Sequence, residues 1–314
     1  MAVAMVKERW PGRVMELVIG REPHAVKAGG ESTLPFLHFE GEIPNRPLAA
    51  LEVWDVEPEG WPETLAEAYP GVTRDPVAWA KMCEDCGADL ICLRLAGAHP
   101  EGKNAGPAQA AETARAVAAA VNRPLIVIGC GVEEKDEEIL PAVAGAIAGQ
   151  NALLGCATMN NYKKITEACL SYGHGIIAST PLDINLAKQL NILINETGIP
   201  LDRIAFDPIV GPLGYGFEYA YSIIERARLS ALSGDRMLAT PVICFVGQEA
   251  WKTREARSED GGGWGDQARR AILWEALTAA GLALAGGSIF VLSHPASLNA
   301  FKKHLAAMMK PFTC

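Results

Sequence analysis

A chain of 314 residues, 49% hydrophobic and 21% charged, carries ample apolar material for a core, which excludes a disordered polymer. Its 28 Lys and Arg against 37 Asp and Glu leave a formal net charge of −9, the wrong sign for a protein that holds nucleic acid by displacing counterions. The opening MAVAMVKERWPGR is charged where a secretory signal needs an apolar run, and glycines at 281, 286 and 287 break the uncharged run Ala276–Leu292, so neither a leader nor a membrane span is expected.

Residues 1–46 read as an irregular or hairpin-like extension, placed to close one end of a domain or to meet a partner. From residue 47 to 314, short apolar runs alternate with helical segments. The first strand is expected over Leu48–Trp54. A helix follows Asp75-Pro76, an N-cap with proline at the first helical position, and turns Trp79, Cys83 and Cys86 to one face. The second strand, Asp89–Leu95, leads to a Gly-rich loop and a helix from Pro107 with Ala110, Ala114, Val117 and Val121 inward. The third strand is Leu125–Gly129, and the segment after it, Glu133–Ala148, holds Pro141, which either delays the helix or kinks it. The fourth strand, Ala152–Gly155, precedes a helix that aligns Ile165, Cys169 and Tyr172 and ends at Gly173. Ile176–Ser179 is the fifth strand, followed by a helix with Leu186, Leu190, Leu193 and Ile194 inward. Ile204–Asp207 is the sixth, followed by a helix aligning Ala220, Ile223, Ala227 and Ala231. Val242–Val246 and Ser288–Leu292 complete the set, and a last helix starts near Ser293-His294-Pro295 with Leu298, Phe301, Leu305 and Met308 on its inner face. Eight strands, mostly apolar without polar alternation, predict an α/β fold of the (β/α)8 TIM-barrel type, which typically takes about 250 residues. An open doubly wound sheet is the alternative.

In a barrel the chemistry sits where strands end. Those ends are polar here: Glu52 and Asp55; Arg94; Gly129-Cys130-Gly131; Asn160 and Asn161; Ser179, Thr180, Asp183 and Asn185; Asp207, then Gly211, Gly214, Tyr215 and Gly216; Gln248 and Glu249; Ser293 and His294. Carboxylates and amides with few cations suit an amide-bearing or heteroaromatic ligand better than a phosphate. Several of these residues are also good helix caps. The glycines at 211–216 either let a backbone approach a flat ligand or simply allow a tight loop.

Metal signals are weak. The eight cysteines are too sparse for a disulfide scaffold and read as reduced thiols of a cytoplasmic protein. Cys83 and Cys86 form a C-x-x-C with no second pair, and four clustered thiolates for an iron–sulfur cluster are not in evidence along the sequence. The six histidines are scattered, and Gly97-Ala98-His99-Pro100-Glu101-Gly102 lacks the Asp of a cobalt-ligating D-x-H-x-x-G motif. No metal ligands and no catalytic residues are therefore assigned.

Several long stretches are idiosyncratic: LPFLHFEGEIPNRP at 34–47, GADLICLRL at 87–95, VIGCGVEEKD at 127–136, STPLDINLAKQLNILINE at 179–196, DPIVGPLGYGFEYAYSIIERARL at 207–229 and PVICFVGQEAWKTREA at 241–256. Through them the chain resembles the small (delta) subunit family of the corrinoid iron–sulfur protein of the acetyl-CoA decarbonylase/synthase system. The resemblance implies a TIM barrel paired with a large (gamma) subunit that carries the iron–sulfur cluster, with a cobamide shared between the two and no cluster in this chain. It implies a methyl carrier of the reductive acetyl-CoA pathway. Methyl groups arrive from methyltetrahydrofolate through a separate corrinoid methyltransferase and leave to acetyl-CoA synthase. The residues expected to face the cobamide are Gly129, Cys130, Ser179, Thr180, Asp183, Asn185, Asp207, Gly214, Tyr215 and Gly216. The barrel is also similar to pterin-binding methyltransferases at Asp207-Pro208-Ile209 with Pro212 and at Asn185, so an autonomous pterin-dependent methyltransferase is the competing expectation. The loop Val246-Gly247-Gln248-Glu249 departs from the Asn-bearing loop of such enzymes.

Overall fold

The computed structural model describes residues 6–259 and 263–311; the other positions, Cys314 among them, lie outside the described residues. The extension forms an antiparallel hairpin, β1 (Glu16–Ile19) and β2 (Val26–Gly29), with Glu16 opposite Gly29 and Ile19 opposite Val26. Eight parallel strands follow: β3 (Leu48–Trp54), β4 (Leu90–Arg94), β5 (Leu125–Ile128), β6 (Leu153–Ala157), β7 (Gly175–Ser179), β8 (Ile204–Asp207), β9 (Ile243–Phe245) and β10 (Ile289–Leu292). They run in the order β8-β7-β6-β5-β4-β3-β10-β9, and a parallel bridge between Phe206 and Val242 joins the two ends. Each expected strand is present to within two residues, and the ring closes into a (β/α)8 barrel, which removes the open-sheet alternative.

The helices are α1 (Glu63–Glu67), α2 (Pro76–Asp85), α3 (Pro107–Ala120), α4 (Glu133–Ala146), α5 (Tyr162–Tyr172), α6 (Ile184–Glu196), α7 (Phe217–Leu232), α8 (Val246–Ala250), α9 (Arg254–Arg257), α10 (Gln267–Ala285) and α11 (Pro295–Met308). Asp75 caps α2 by accepting from the N–H groups of Val77 and Ala78. Gly173 ends α5 in the left-handed conformation, with φ 78°. Two details differ from the sequence reading. Helix α4 runs through Pro141 from a start at Glu133, because Glu133, Glu134 and Asp136 favour the positive end of the helix dipole upstream of the proline. Tyr172 is exposed, its ring resting near Gly145 of α4, since it lies in the last turn where the helix leaves the core.

Strand parity divides the core into two layers. Ala49, Leu51, Val53, Ile91, Leu93, Val127, Phe206, Cys244 and Phe290 face the helices. Leu48, Ala50, Leu90, Cys92, Ile126, Ile128, Ile177, Ala205, Ile243, Ile289 and Val291 fill the barrel interior. Leu17, Ile19 and Ala28 of the hairpin join this inner layer, and Gly20 exchanges hydrogen bonds with Asn151 at the N-terminal end of β6. The hairpin therefore plugs the end of the barrel where strands begin, leaving the end where they finish as the polar opening.

Two ionic clamps, the second of them fully buried, tie the extension down. Asp89 accepts from Arg46 at 2.8 and 2.7 Å, from Lys302 at 2.7 Å and from the Ala49 N–H at 3.0 Å. Burial pushes its carboxyl up, but the Arg46 and Lys302 hydrogen bonds outweigh it and hold it below the usual value. Arg228 of α7, buried, donates to Glu31 at 3.1 Å, to the Thr33 carbonyl at 3.2 Å and to the Gly286 carbonyl at 3.1 Å. One guanidinium thus binds the extension, α7 and the turn before β10. Arg228→Ala strands the Glu31 carboxylate in the interior, and urea unfolding should show a loss of about 3–5 kcal/mol. A loss no greater than that of an exposed arginine truncation would mean the clamp contributes nothing net.

Candidate functional site

The parity that builds the core also selects the residues at the C-terminal mouth. Glu52 lies two residues past Ala50, Arg94 two past Cys92, Ser179 two past Ile177 and Asp207 two past Ala205, so all four face the barrel axis. Arg94 donates its Nε to Glu52 Oε1 at 2.7 Å, and Gln248 Nε2 adds a second bond to the same oxygen at 2.9 Å. Glu52 is only 2% exposed and the Arg94 side chain 17%, so the pair is largely shielded from solvent.

Across the mouth, Asp207 accepts from Ser179 Oγ at 2.7 Å and from the Ile209 N–H at 2.9 Å. Burial pushes its carboxyl up to about 6, against these two hydrogen bonds and the Arg94 charge. The neighbouring Cys156 thiol is pushed up to about 12, by burial first and the Asp207 charge second. Thr180 sends its N–H to the Asp207 carbonyl at 3.0 Å, while its own Oγ1 is buried with no partner. Asn161 Nδ2, at the end of the neighbouring strand, is also buried without a partner.

The loops beyond β7 and β8 hold two apolar side chains in an unusual way. Leu182 has φ 32° and Ile209 φ 55°, left-handed values that cost roughly 1–2 kcal/mol in a residue bearing a Cβ. The loops are joined by the Leu182 N–H to the Pro208 carbonyl at 3.1 Å, and Asp207 fixes the Ile209 N–H. The side chains face solvent, Leu182 at 40% and Ile209 at 50% exposure, and Tyr215, further along the loop after β8, is half-exposed. Strain that presents apolar groups to water is a mark of a contact surface.

The other residues singled out from sequence divide by role. Asp183 accepts from the N–H groups of Asn185 and Leu186 and caps α6, and Asn185 is exposed in that helix's first turn; neither joins the Asp207 cluster. The absent Cβ of Gly129 makes room for Asp136, whose carboxylate would lie 2.0 Å from it and which accepts from the N–H groups of Cys130 and Gly131. Cys130 packs with the layer facing the helices, and burial pushes its thiol up to about 11. Gly214 and Gly216 have φ of 80° and 91°, and a Cβ on Gly211 would meet the Tyr215 carbonyl at 2.5 Å, so this loop closes tightly on itself and displays Tyr215. Among the described residues no group of three or more His, Cys, Asp or Glu is arranged to hold a metal ion, and no helix is long and apolar enough to cross a membrane. The sequence reading missed Leu182 and the tryptophans around Glu52, and met Ile209 only as part of the pterin-like Asp207-Pro208-Ile209 stretch. The only signal for the tryptophans was Trp54 at a strand end and Trp61 in the loop after it.

Residues 16–277 match the family model described as CO dehydrogenase/acetyl-CoA synthase delta subunit. The acetyl-CoA decarbonylase/synthase complex subunit delta 2 of Methanosarcina acetivorans is 35% identical over 96% of this chain and 72% of its own length. The delta subunits of Archaeoglobus fulgidus and Methanocaldococcus jannaschii are 34% and 30% identical, over 95% and 94% of this chain and 69% and 74% of their own. Among solved structures, dihydropteroate synthase of Xanthomonas albilineans with 4-aminobenzoic acid superposes with TM-score 0.57 at 16% identity, over 85% of this chain and 94% of that one. Burkholderia cenocepacia dihydropteroate synthase with 7,8-dihydropteroate gives TM-score 0.57 at 13% identity, over 94% and 95%. These last two establish the barrel fold alone.

The raised Asp207 carboxyl makes a pH prediction. A folded-state value of about 6 against an ordinary 3.8 means the folded chain holds this proton more tightly than the unfolded chain, so the stabilisation is complete below 3.8 and lost as pH rises through 6. Urea titrations of the native chain and Asp207→Asn should show their stability difference falling by up to about 3 kcal/mol between pH 4 and pH 7. A difference that does not change with pH would place the carboxyl at its ordinary value.

Proposed function

The chain belongs to the CO dehydrogenase/acetyl-CoA synthase delta-subunit family, and from that premise we propose that it is the small subunit of a heterodimeric corrinoid iron–sulfur protein. In this reading it pairs with a large subunit and receives methyl groups from methyltetrahydrofolate through a corrinoid methyltransferase. It delivers them to acetyl-CoA synthase in the reductive acetyl-CoA pathway. The large subunit holds the iron–sulfur cluster, and the cobamide lies between the two subunits at the C-terminal mouth of this barrel.

The observation that carries the reading is the composition of the β7–β8 side of the mouth. Leu182, Ile209 and Tyr215 present an apolar surface, and beside it Thr180 Oγ1 and Asn161 Nδ2 are buried without partners. A corrin is a flat apolar ring edged with carboxamides, and these residues fit it: the apolar groups take the ring, and the hydroxyl and amide take the edge. When bound, the cobamide supplies a cobalt that accepts and gives up a methyl group. The chain's own residues bind, orient and exclude water. Asp207 and Ser179 fix the Ile209 loop through the hydrogen bonds already described, and the buried Arg94–Glu52 pair keeps the axis of the mouth closed by paired charge. A water-poor wall favours a reactive reduced metal centre. The free thiols among the described residues accord with a reducing, cytoplasmic compartment.

Asp207 with its raised carboxyl is the feature that favours the second reading, an autonomous pterin-dependent methyltransferase. Calorimetry of the isolated chain with methyltetrahydrofolate separates the two: saturable micromolar binding supports the second reading, and no heat at millimolar ligand removes it.

Co-expression with the large subunit in cells supplied with cobamide should yield a stable red one-to-one complex. Leu182→Ala with Ile209→Ala should speed cobamide release by roughly ten- to a hundredfold, the worth of two partly buried aliphatic side chains. A chain that remains colourless beside its partner overturns the reading.

A further inference from the structure

The opposite side of the mouth holds a second feature that the cobamide reading does not use. A cavity of about 160 Å³ opens between the loops after β3, β9 and β10, lined by Glu52, Trp54, Trp61, Gln248, Trp251 and Ser293. In the closed ring β3 stands four strands from β7 in either direction, so this cavity lies across the barrel axis from Thr180. Its volume is close to that of an engineered cavity of about 150 Å³ that admits a benzene ring, so it has room for one six-membered ring.

The walls and the floor define the occupant. Three indoles make the walls flat and apolar, and two of them are held rigidly. Trp61 packs edge-on to Trp54 at 5.9 Å and to Trp79 at 5.5 Å, and Trp251 is fixed by its N–H bond to Glu275 at 3.0 Å and by stacking on His294 at 5.7 Å. At the floor, Glu52 is 98% shielded, yet only its Oε1 is used, by Arg94 and Gln248; Oε2 accepts no hydrogen bond among the described residues. Gln248 spends one of its two amide N–H groups on Glu52, which leaves its second N–H as a donor and its carbonyl oxygen as an acceptor. The Trp54 indole N–H is buried with no acceptor. The floor therefore lacks an N–H for the free Glu52 oxygen and a C=O for the second Gln248 N–H. Charge narrows the class further. Glu52 is already neutralised by Arg94, so a charged guest would bring an uncompensated charge into a shielded site. At the rim, Lys252 is tied to Glu249 at 2.6 Å, and Arg257 donates its Nε to the Trp251 carbonyl at 2.7 Å.

We propose that this cavity is a binding site for a neutral, single-ring heterocycle bearing an N–H beside a C=O, a cyclic amide, recognised by the free oxygen of Glu52 between tryptophan faces. All the recognising groups belong to this chain, so the full chain without cobamide suffices to test the site.

The probe is 2-pyridone, with saturation-transfer NMR and tryptophan fluorescence as readouts. Saturable binding is expected, and N-methyl-2-pyridone, which has the same shape without the N–H, should bind at least about tenfold more weakly, the worth of one hydrogen bond to a charged acceptor. Glu52→Gln should weaken 2-pyridone to a similar degree. Because that change leaves Arg94 without its partner, Trp61→Ala serves as the second variant, with a loss of at least about tenfold from the missing wall. Three results overturn the proposal: no binding of 2-pyridone by the native chain, equal affinity for the N-methyl compound, or tighter binding of the benzamidinium cation than of 2-pyridone.

Discussion

Arg94 stands where the barrel interior changes from hydrocarbon to charge. Beneath it the inner layer is built from Leu, Ile, Val, Ala and Cys; at its level the ring carries Glu52, Ser179 and Asp207. A buried carboxylate needs a partner, and the Arg94 guanidinium supplies it to Glu52 directly at 2.7 Å. Its charge also reaches Asp136 and Asp207, drawing both carboxyls down against the burial that raises them. Through Gln248 the same pair ties in the loop after β9. The polar rim is thus organised around one cation, and removing it would leave several carboxylates unbalanced in a low-dielectric mouth.

The hairpin gives this arrangement its direction. With Leu17, Ile19 and Ala28 filling the end where strands begin, the barrel offers a single polar opening, where the strands finish. That opening is not uniform. On the β7–β8 side, left-handed backbone at Leu182 and Ile209 pushes aliphatic groups outward, and Asp207 holds the loop that strains them. On the β3–β9–β10 side, indoles turn inward around a shielded carboxylate. One side presents exposed aliphatic side chains; the other encloses a space of single-ring size. The surface proposed for the cobamide and the cavity proposed for a small ring thus lie on opposite sides of one mouth.

Much of the fold was legible because parallel strands buried on both faces leave a dense apolar run in the chain, and because helix ends carry local signals such as Asp75-Pro76 and Gly173. Strand-end polarity was legible for the same reason: an apolar run that stops at Glu52, Ser179 or Asp207 marks the rim. The roles within that rim were less so. Asp183 and Asp207 look alike in sequence, yet one caps a helix and the other is buried and bonded to Ser179, a difference made by which strand end faces the axis. Gly129 reads as a ligand-approach glycine but makes room for Asp136 seven residues on, a contact that exists only once α4 folds back over β5.

The sequence alone therefore determined the number and order of the strands, the polar character of the mouth and the family resemblance, since each is written in contiguous residues. Only the tertiary structure decided that Arg94 meets Glu52, that Leu182 and Ile209 are held outward under strain, and that Trp54, Trp61 and Trp251 converge on one cavity. Those relations join residues far apart in the chain, and they are set by barrel closure and side-chain packing, which no local pattern encodes.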